Sequence, residues 1–133
     1  MRVFLDANVL VSAFAARGLC ADLLREVLAR HTLLTGEVVL TEFRRILSVK
    51  LRAPRAAVEA AVAAASAGQV VPRPRRRLAL RLRDLSNDRV LASAVAGKAD
   101  LLVTGDRDLL CLAGRAPLPV LGLREAWGRV RQG

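Results

Sequence analysis

The stretch Leu101-Leu102-Val103-Thr104-Gly105-Asp106 contains the clearest strand of this sequence. Four apolar or β-branched residues follow one another, a glycine ends the run, and an aspartate comes next. A short apolar run that ends at a turn residue is typical of a strand buried on both faces, as in a parallel sheet. Since ligands bind beyond the carboxyl ends of parallel strands, Asp106 lies where a functional site is expected.

Shorter strands and amphipathic helices alternate on both sides of this stretch. The strands are predicted at residues 3–5, 32–35, 69–71 and near 120–121. The helices are predicted at 8–16, 19–30, 37–50 and 54–67, after the cap residues Ser86 and Asn87 as far as Gly97, from Asp108, and around Trp127. This alternation indicates a parallel sheet covered on both faces. Because no repeat or internal boundary interrupts it, residues 1–133 are predicted to form a single α/β domain.

The composition excludes several classes of protein. Hydrophobic residues make up 53% of the 133 residues, which rules out intrinsic disorder. Charges break every apolar stretch well short of the roughly 20 residues that span a bilayer. Asp6 interrupts the only early apolar run, so no secretion signal is predicted. Two distant cysteines and one histidine argue against a disulfide framework and a zinc site. We expect a reduced, cytoplasmic protein without membrane contact.

The charge indicates a class of partner. Twenty-two Lys and Arg residues against 12 Asp and Glu residues give a net charge of +10, which favours a polyanion such as nucleic acid, or an acidic protein. An Arg-rich composition set by codon bias explains the same number. Three Phe, one Trp and no Tyr argue against a surface that stacks bases, so a bound nucleic acid would be held through its phosphates.

Five acidic residues stand at strand ends or point inward. Asp6 ends the first strand, and Asp106 and Asp108 follow the strand at 101–104. A helix turns about 100° per residue, which places Glu42 at the border of an apolar stripe and Asp88 on a core-facing side. Four of the five also have ordinary explanations, since Asp6 and Asp106 can cap helices, Asp108 can face a helix dipole and Glu42 can extend to solvent.

Carboxylates that converge need a counter-charge. Two of them about 4 Å apart repel by ~4 kcal/mol at an effective dielectric of about 20, and a divalent cation removes that cost. A site of carboxylate oxygens without His or Cys selects Mg²⁺ or Mn²⁺ over zinc. Such an ion can bind a phosphodiester oxygen and lower the pKa of an attacking water. Within a basic protein, this combination indicates phosphodiester hydrolysis.

Four segments resemble the motifs of the PIN-domain ribonucleases. They are Val3-Phe4-Leu5-Asp6-Ala7-Asn8-Val9-Leu10, Thr41-Glu42-Phe43-Arg44-Arg45-Ile46-Leu47, Asp88-Arg89-Val90-Leu91-Ala92-Ser93-Ala94 and Leu102-Val103-Thr104-Gly105-Asp106-Arg107-Asp108-Leu109-Leu110. The fourth has the most specific form, and order and spacing agree from residue 2 to about residue 127. The most similar subgroup is the toxin components of bacterial type II toxin–antitoxin systems.

The resemblance implies a fold, an activity and partners. It implies a doubly wound α/β/α sandwich around a Rossmann-like parallel sheet, and cleavage of single-stranded RNA with Mg²⁺ or Mn²⁺. It also implies a homodimer that a small antitoxin inhibits. By position, the catalytic and metal-binding acids are Asp6, Glu42, Asp88 and Asp106, with Asp108 as a further metal ligand and Asn8 and Thr104 in support.

The third motif departs from the subgroup. Its members often carry Asp-Pro before this motif and paired acids within it. This chain has Asp84-Leu85 and then Asn87-Asp88, so the proline and one acid are missing. Asp88 keeps a set of four acids, and the missing acid implies a reduced affinity for metal.

An arginine-rich segment precedes the third motif. Six arginines and no acid lie between residues 73 and 83. We predict that Arg75, Arg76 and Arg77 contact RNA phosphates or dock an acidic antitoxin segment. A solvated connecting loop is the alternative.

Other functions fit the sequence less well. A haloacid dehalogenase-type phosphatase also has an aspartate after its first strand, but it needs a second one where Asn8 stands, and a phosphate-binding lysine. A receiver-type signalling domain needs paired acids after its first strand, and this sequence lacks them in the same way. A PIN-like fold that only binds RNA or protein is the non-enzymatic alternative.

Overall fold

The computed structural model describes residues 1–75, 85–112 and 114–132, and this part of the chain forms five short parallel strands with helices between and after them. In chain order the elements are β1 (Arg2–Leu5), α1 (Ala7–Ala15), α2 (Leu19–Arg30), β2 (Thr32–Gly36), α3 (Glu37–Arg45), a π-helical turn (Ile46–Lys50), α4 (Arg55–Ala65), β3 (Gln69–Val71), α5 (Leu85–Ala96), β4 (Leu101–Val103), α6 (Arg107–Leu110), β5 (Val120–Leu121) and α7 (Leu123–Gln132).

The sheet has the strand order β3-β2-β1-β4-β5, with every pair parallel. The central strand β1 pairs on both sides, since Val3 lies opposite Leu33 of β2 and Leu101 of β4. The chain order runs outward in opposite directions from β1 and β4. This reversal opens a crevice at the carboxyl ends of those two strands, which is where ligands bind in open α/β sheets.

The core consists of the strands and the helix faces that pack on them. Phe4, Leu34 and Leu102 of the three middle strands are fully buried. Helix α2 packs against α1 and α7, and α3 packs against α1, α4 and α5. Helices flanking a parallel sheet confirm the predicted α/β/α architecture. Among the described residues no single helix could cross a bilayer, although α1 and α2 together, bent by 103°, pass the same test of length and composition.

Two predicted helices have different bounds in the structure. The helix predicted at 37–50 is α-helical only to Arg45 and continues as the π-helical turn. Helix α5 begins at Leu85, so Ser86 and Asn87 lie inside it and the prediction that they cap it is wrong. The side chain of Asn87 donates to Asp106 beyond β4. Residues 76–84, which hold most of the arginine-rich segment, lie outside the described residues.

Candidate active site

A cleft of about 530 Å³ opens at the carboxyl edge of the sheet, beside β1 and β4. Three carboxylates that are far apart in sequence line it: Asp6 follows β1, Glu42 lies on α3, and Asp106 follows β4. Asn8 and Thr41 also line the cleft. The fold therefore brings together three of the four acids predicted to be catalytic, at the reversal of the strand order.

Asp6 is the most buried of the three, with 7% of its surface exposed. Its Oδ1 accepts from the backbone N–H of Ala7 at 2.7 Å, which caps α1. Its Oδ2 accepts from the Thr104 hydroxyl at 2.7 Å. Burial raises the pKa of Asp6, the two hydrogen bonds oppose that effect, and the charges of Asp106 and Glu42 add to it. The capping role proposed for Asp6 is thus real, and it coexists with a place in the cleft.

Thr104 links Asp6 to Asp106. Its side chain is fully buried, and its Oγ1 accepts from the backbone N–H of Asp106 at 3.0 Å while donating to Asp6. Asp106 caps α6 by accepting from the backbone N–H of Asp108 at 2.8 Å. Its other oxygen accepts from the Asn87 side-chain amide at 3.3 Å. A line of hydrogen bonds therefore runs from β1 through the loop after β4 to α5.

Glu42 reaches the cleft from the half-buried side of α3, as its helical position predicts. Its carboxylate accepts two hydrogen bonds from Arg45, at 2.6 Å from Nη2 and 3.1 Å from Nε. This bidentate pairing supplies a counter-charge to Glu42. It also raises the pKa of Arg45, through the hydrogen bond first and the opposite charge second.

The donor chemistry of this cleft fits a hard divalent cation. Asp6, Glu42 and Asp106 offer carboxylate oxygens, which suit Mg²⁺ or Mn²⁺. The two other acids both raise the pKa of Asp6, so the three share one electrostatic field. As the side chains stand, no three Asp, Glu, His or Cys groups within the described ranges converge on one ion position. Glu42 is paired with Arg45 instead.

Two predicted ligands lie away from the cleft lining. Asp88 is 1% exposed at the start of α5, in agreement with its predicted core-facing direction. Asp108 is exposed, and its contact with Asp106 is through its backbone N–H. Asp88 and Asp108 remain predicted ligands, while the α5 residues that line the cleft are Asn87, Arg89 and Val90.

Four polar residues of the cleft were not assigned to it from the sequence: Thr41, Arg73, Asn87 and Arg89. Asn87 and Val90 both line the cleft and lie three residues apart on α5. This helical spacing was the signal in the sequence from which Asn87 could have been placed in the cleft. Arg73 and Arg89 are exposed at its rim. Of the arginines predicted to contact RNA, Arg75 is exposed, and residues 76 and 77 lie outside the described residues.

Comparisons with known proteins agree with this architecture. Residues 2–108 match the PIN-domain family. No curated protein matches the chain. Among solved structures, VapBC2 from Rickettsia felis, bound to a DNA fragment from its promoter, superposes with a TM-score of 0.65 and 15% identity, covering 92% of this chain and 98% of the other. At that identity the likeness shows a common fold.

Proposed function

This chain belongs to the PIN-domain family, and on that premise we propose that it is a metal-dependent endoribonuclease that hydrolyses phosphodiester bonds of single-stranded RNA. The observation that carries the proposal is the meeting of Asp6, Glu42 and Asp106 in one cleft. They come from three different elements, and local capping explains only two of them, Asp6 and Asp106. Glu42 lies inside α3, five residues after its start, and faces the same space.

Asp6, Glu42 and Asp106 are the proposed ligands for Mg²⁺ or Mn²⁺, with Asp88 and Asp108 as further predicted ligands. When bound, the ion would polarise the scissile phosphate and lower the pKa of an attacking water. Thr104 fixes the orientation of Asp6 and the backbone of Asp106 through its two hydrogen bonds. Glu42 would exchange Arg45 for the ion, since both side chains of that pair are half-exposed and water can solvate Arg45 once it is released.

The positive charge at the rim of the cleft and over the whole chain supports RNA as the substrate. Arg73 and Arg89 stand at the rim of the cleft, where guanidinium groups can hold the phosphates on either side of a cleaved bond. The net charge of +10 attracts a polyanion toward a cleft that is itself acidic. Asn8 is exposed within the cleft, in place to hydrogen-bond to the substrate or to a water.

Cleavage of a labelled single-stranded RNA tests the proposal. We expect the native chain to cut with Mn²⁺ or Mg²⁺ and to stop with EDTA, and Asp6→Asn and Asp106→Asn to lose at least about 100-fold in rate, as expected for loss of a metal ligand. Asp22→Asn is the matched control, because Asp22 lies on α2 outside this cleft. Equal rates in Asp6→Asn and Asp22→Asn would refute the proposal.

A binding module without cleavage is the second candidate. It is favoured by the pairing of Glu42 with Arg45 and by the lack of three convergent ligands in the described part of the chain. Metal-dependent melting separates the two candidates. An ion at a hundredfold excess over Kd stabilises the folded state by about 2.7 kcal/mol. If Mn²⁺ raises the Tm of the native chain but not the Tm of the double variant Asp6→Asn, Asp88→Asn, the result supports the enzyme.

We further propose that the protein is a cytoplasmic homodimer and the toxin of a toxin–antitoxin pair. The fold shared with the VapBC2 toxin–antitoxin complex supports this assignment. Val49 and Leu51, exposed by 64% and 49%, supply apolar surface for an interface. Sedimentation should give twice the 14.3 kDa mass of one chain. Co-expression with a small reading frame beside the gene should yield a stable complex.

A further inference from the structure

The α5 wall of the cleft carries an amide. Asn87 is 6% exposed, and its side chain lines the cleft together with Asp6, Glu42 and Asp106. Its Nδ2 donates to Oδ2 of Asp106 at 3.3 Å. A side chain this buried, aimed at a carboxylate of the site, occupies a position from which it can affect any ion bound there.

An amide at this place has two effects on a cation site. It donates a hydrogen bond to Asp106, which restrains that carboxylate without adding charge. It also brings an NH₂ group into the cleft, where a carboxylate of the same shape would bring a negative oxygen. Among the described residues, three acidic and two basic side chains line the cleft. One more carboxylate would therefore double its net negative charge.

We propose that Asn87 is a positioning residue that holds Asp106 for metal binding and, by standing where a carboxylate would fit, keeps the affinity of the cleft for divalent cations low. This proposal rests on the proposed function, because it concerns the same ion. It assigns opposite effects to two substitutions at one position. Removing the amide loosens Asp106 and weakens binding, while replacing it with a carboxylate adds a ligand and strengthens binding.

The experiment is a titration of Mn²⁺ against the native chain, Asn87→Asp and Asn87→Ala, followed by melting temperature and by calorimetry. Asn87→Asp should bind Mn²⁺ about tenfold more tightly, since affinity follows the ligand charge count. Its metal-free Tm should fall by about 5 °C, because two carboxylates then face each other. Asn87→Ala should bind about tenfold more weakly, as expected when a partner that orients a ligand is lost.

Gln132→Glu is the charge control, because it adds one negative charge on the exposed end of α7. It should leave the Mn²⁺ affinity within twofold of native. Equal or weaker binding by Asn87→Asp would overturn the proposal, and so would unchanged binding by Asn87→Ala, which stays measurable if Asn87→Asp does not fold. A native chain that shows no Mn²⁺ response refutes the proposed function instead, and with it the site on which Asn87 acts.

Discussion

Asp6 shows how this cleft keeps a charged group in a buried place. Its carboxylate accepts from the Ala7 N–H at the start of α1 and from Thr104, and these two hydrogen bonds offset part of the cost of burial. The remaining cost appears as a raised pKa, caused by burial first and increased by the charges of Asp106 and Glu42. A residue that destabilises the metal-free fold is typical of a functional site.

Asp6→Asn should therefore stabilise the metal-free protein by about 1 kcal/mol, which raises Tm by about 4 °C. Burial raises the pKa of Asp6 above its ordinary value of 3.8, so the folded state binds this proton more tightly than the unfolded state does. The native chain then loses stability as pH rises from 3.8 through the raised pKa. Melting curves against pH should show the gap between variant and native widening across that window. A gap that narrows with pH would contradict this account.

Thr104→Val tests the link between Asp6 and Asp106. The valine keeps the shape of the buried side chain and removes the hydroxyl that donates to Asp6 and accepts from the Asp106 N–H. We expect a loss of about 2 kcal/mol, because two buried polar groups lose a partner. Thr104→Ser retains the hydroxyl and should lose less than about 1 kcal/mol. Urea unfolding measures the free energy of unfolding that each variant loses. Equal losses in Thr104→Val and Thr104→Ser would show that packing, and not the hydroxyl, determines the stability at this position.

For single residues, the sequence predicts most of the cleft but not its α5 wall. Asp6 and Asp106 follow strands, and Glu42 follows from helical spacing, so their meeting could be inferred from parallel topology. Asp88 faces the core as predicted, yet the cleft is lined by its neighbour Asn87. Successive side chains of a helix differ by about 100° in direction, so Asn87 and Asp88 face different ways. The apolar pattern shows the core-facing side of α5 but not which of these two residues faces the cleft.

Among the secondary-structure elements, the strands were predictable because short apolar runs have few alternatives. The bounds β1 Arg2–Leu5 and β3 Gln69–Val71 agree with the runs to within one residue. The π-helical turn at Ile46–Lys50 was not predictable, since its apolar spacing fits an α-helix equally well. The start of α5 was missed because Asn87, a good cap by residue type, hydrogen-bonds across to Asp106.

Two glycines give a prediction about elements that is independent of the site. A Cβ at Gly68 would lie 2.1 Å from the carbonyl oxygen of Leu33, where α4 returns to the sheet. Gly68→Ala should destabilise the protein by about 2 kcal/mol or more, because backbone must move. Gly128, inside α7, has nothing within 4 Å of such a Cβ. Gly128→Ala should stabilise by about 1 kcal/mol. Thermal melts should show a lower Tm for Gly68→Ala and a higher Tm for Gly128→Ala. Neither variant should change the Mn²⁺ affinity.

The sheet topology places the site, and the net charge of the chain supplies its electrostatic surroundings. Asp6 and Thr104 are 98 residues apart and meet because β1 and β4 are neighbours in the sheet. Alternating strands and helices predict a parallel sheet, but they do not state which strands are neighbours. The order β3-β2-β1-β4-β5 is therefore a finding of the structure, beyond the doubly wound sandwich that the resemblance to the PIN-domain family implies. Charge is read from the sequence directly, and only the structure shows which arginines reach the cleft.

Arg73 and Arg89 at the rim of the cleft should hold single-stranded RNA through its phosphates. If Arg73 and Arg89 each neutralise one phosphate, the double variant Arg73→Gln, Arg89→Gln should reduce the slope of log K against log salt by about 1.4, at about 0.7 per contact with a single strand. Binding of single-stranded RNA is measured in EDTA, so that no cleavage intervenes. The matched control, Arg25→Gln with Arg129→Gln, removes the same charge from exposed positions on α2 and α7 outside the cleft. It should leave the slope nearly unchanged, because those arginines add only to the distant field of the protein. Equal slopes for the two double variants would mean that net charge, and not the rim of this cleft, holds the RNA.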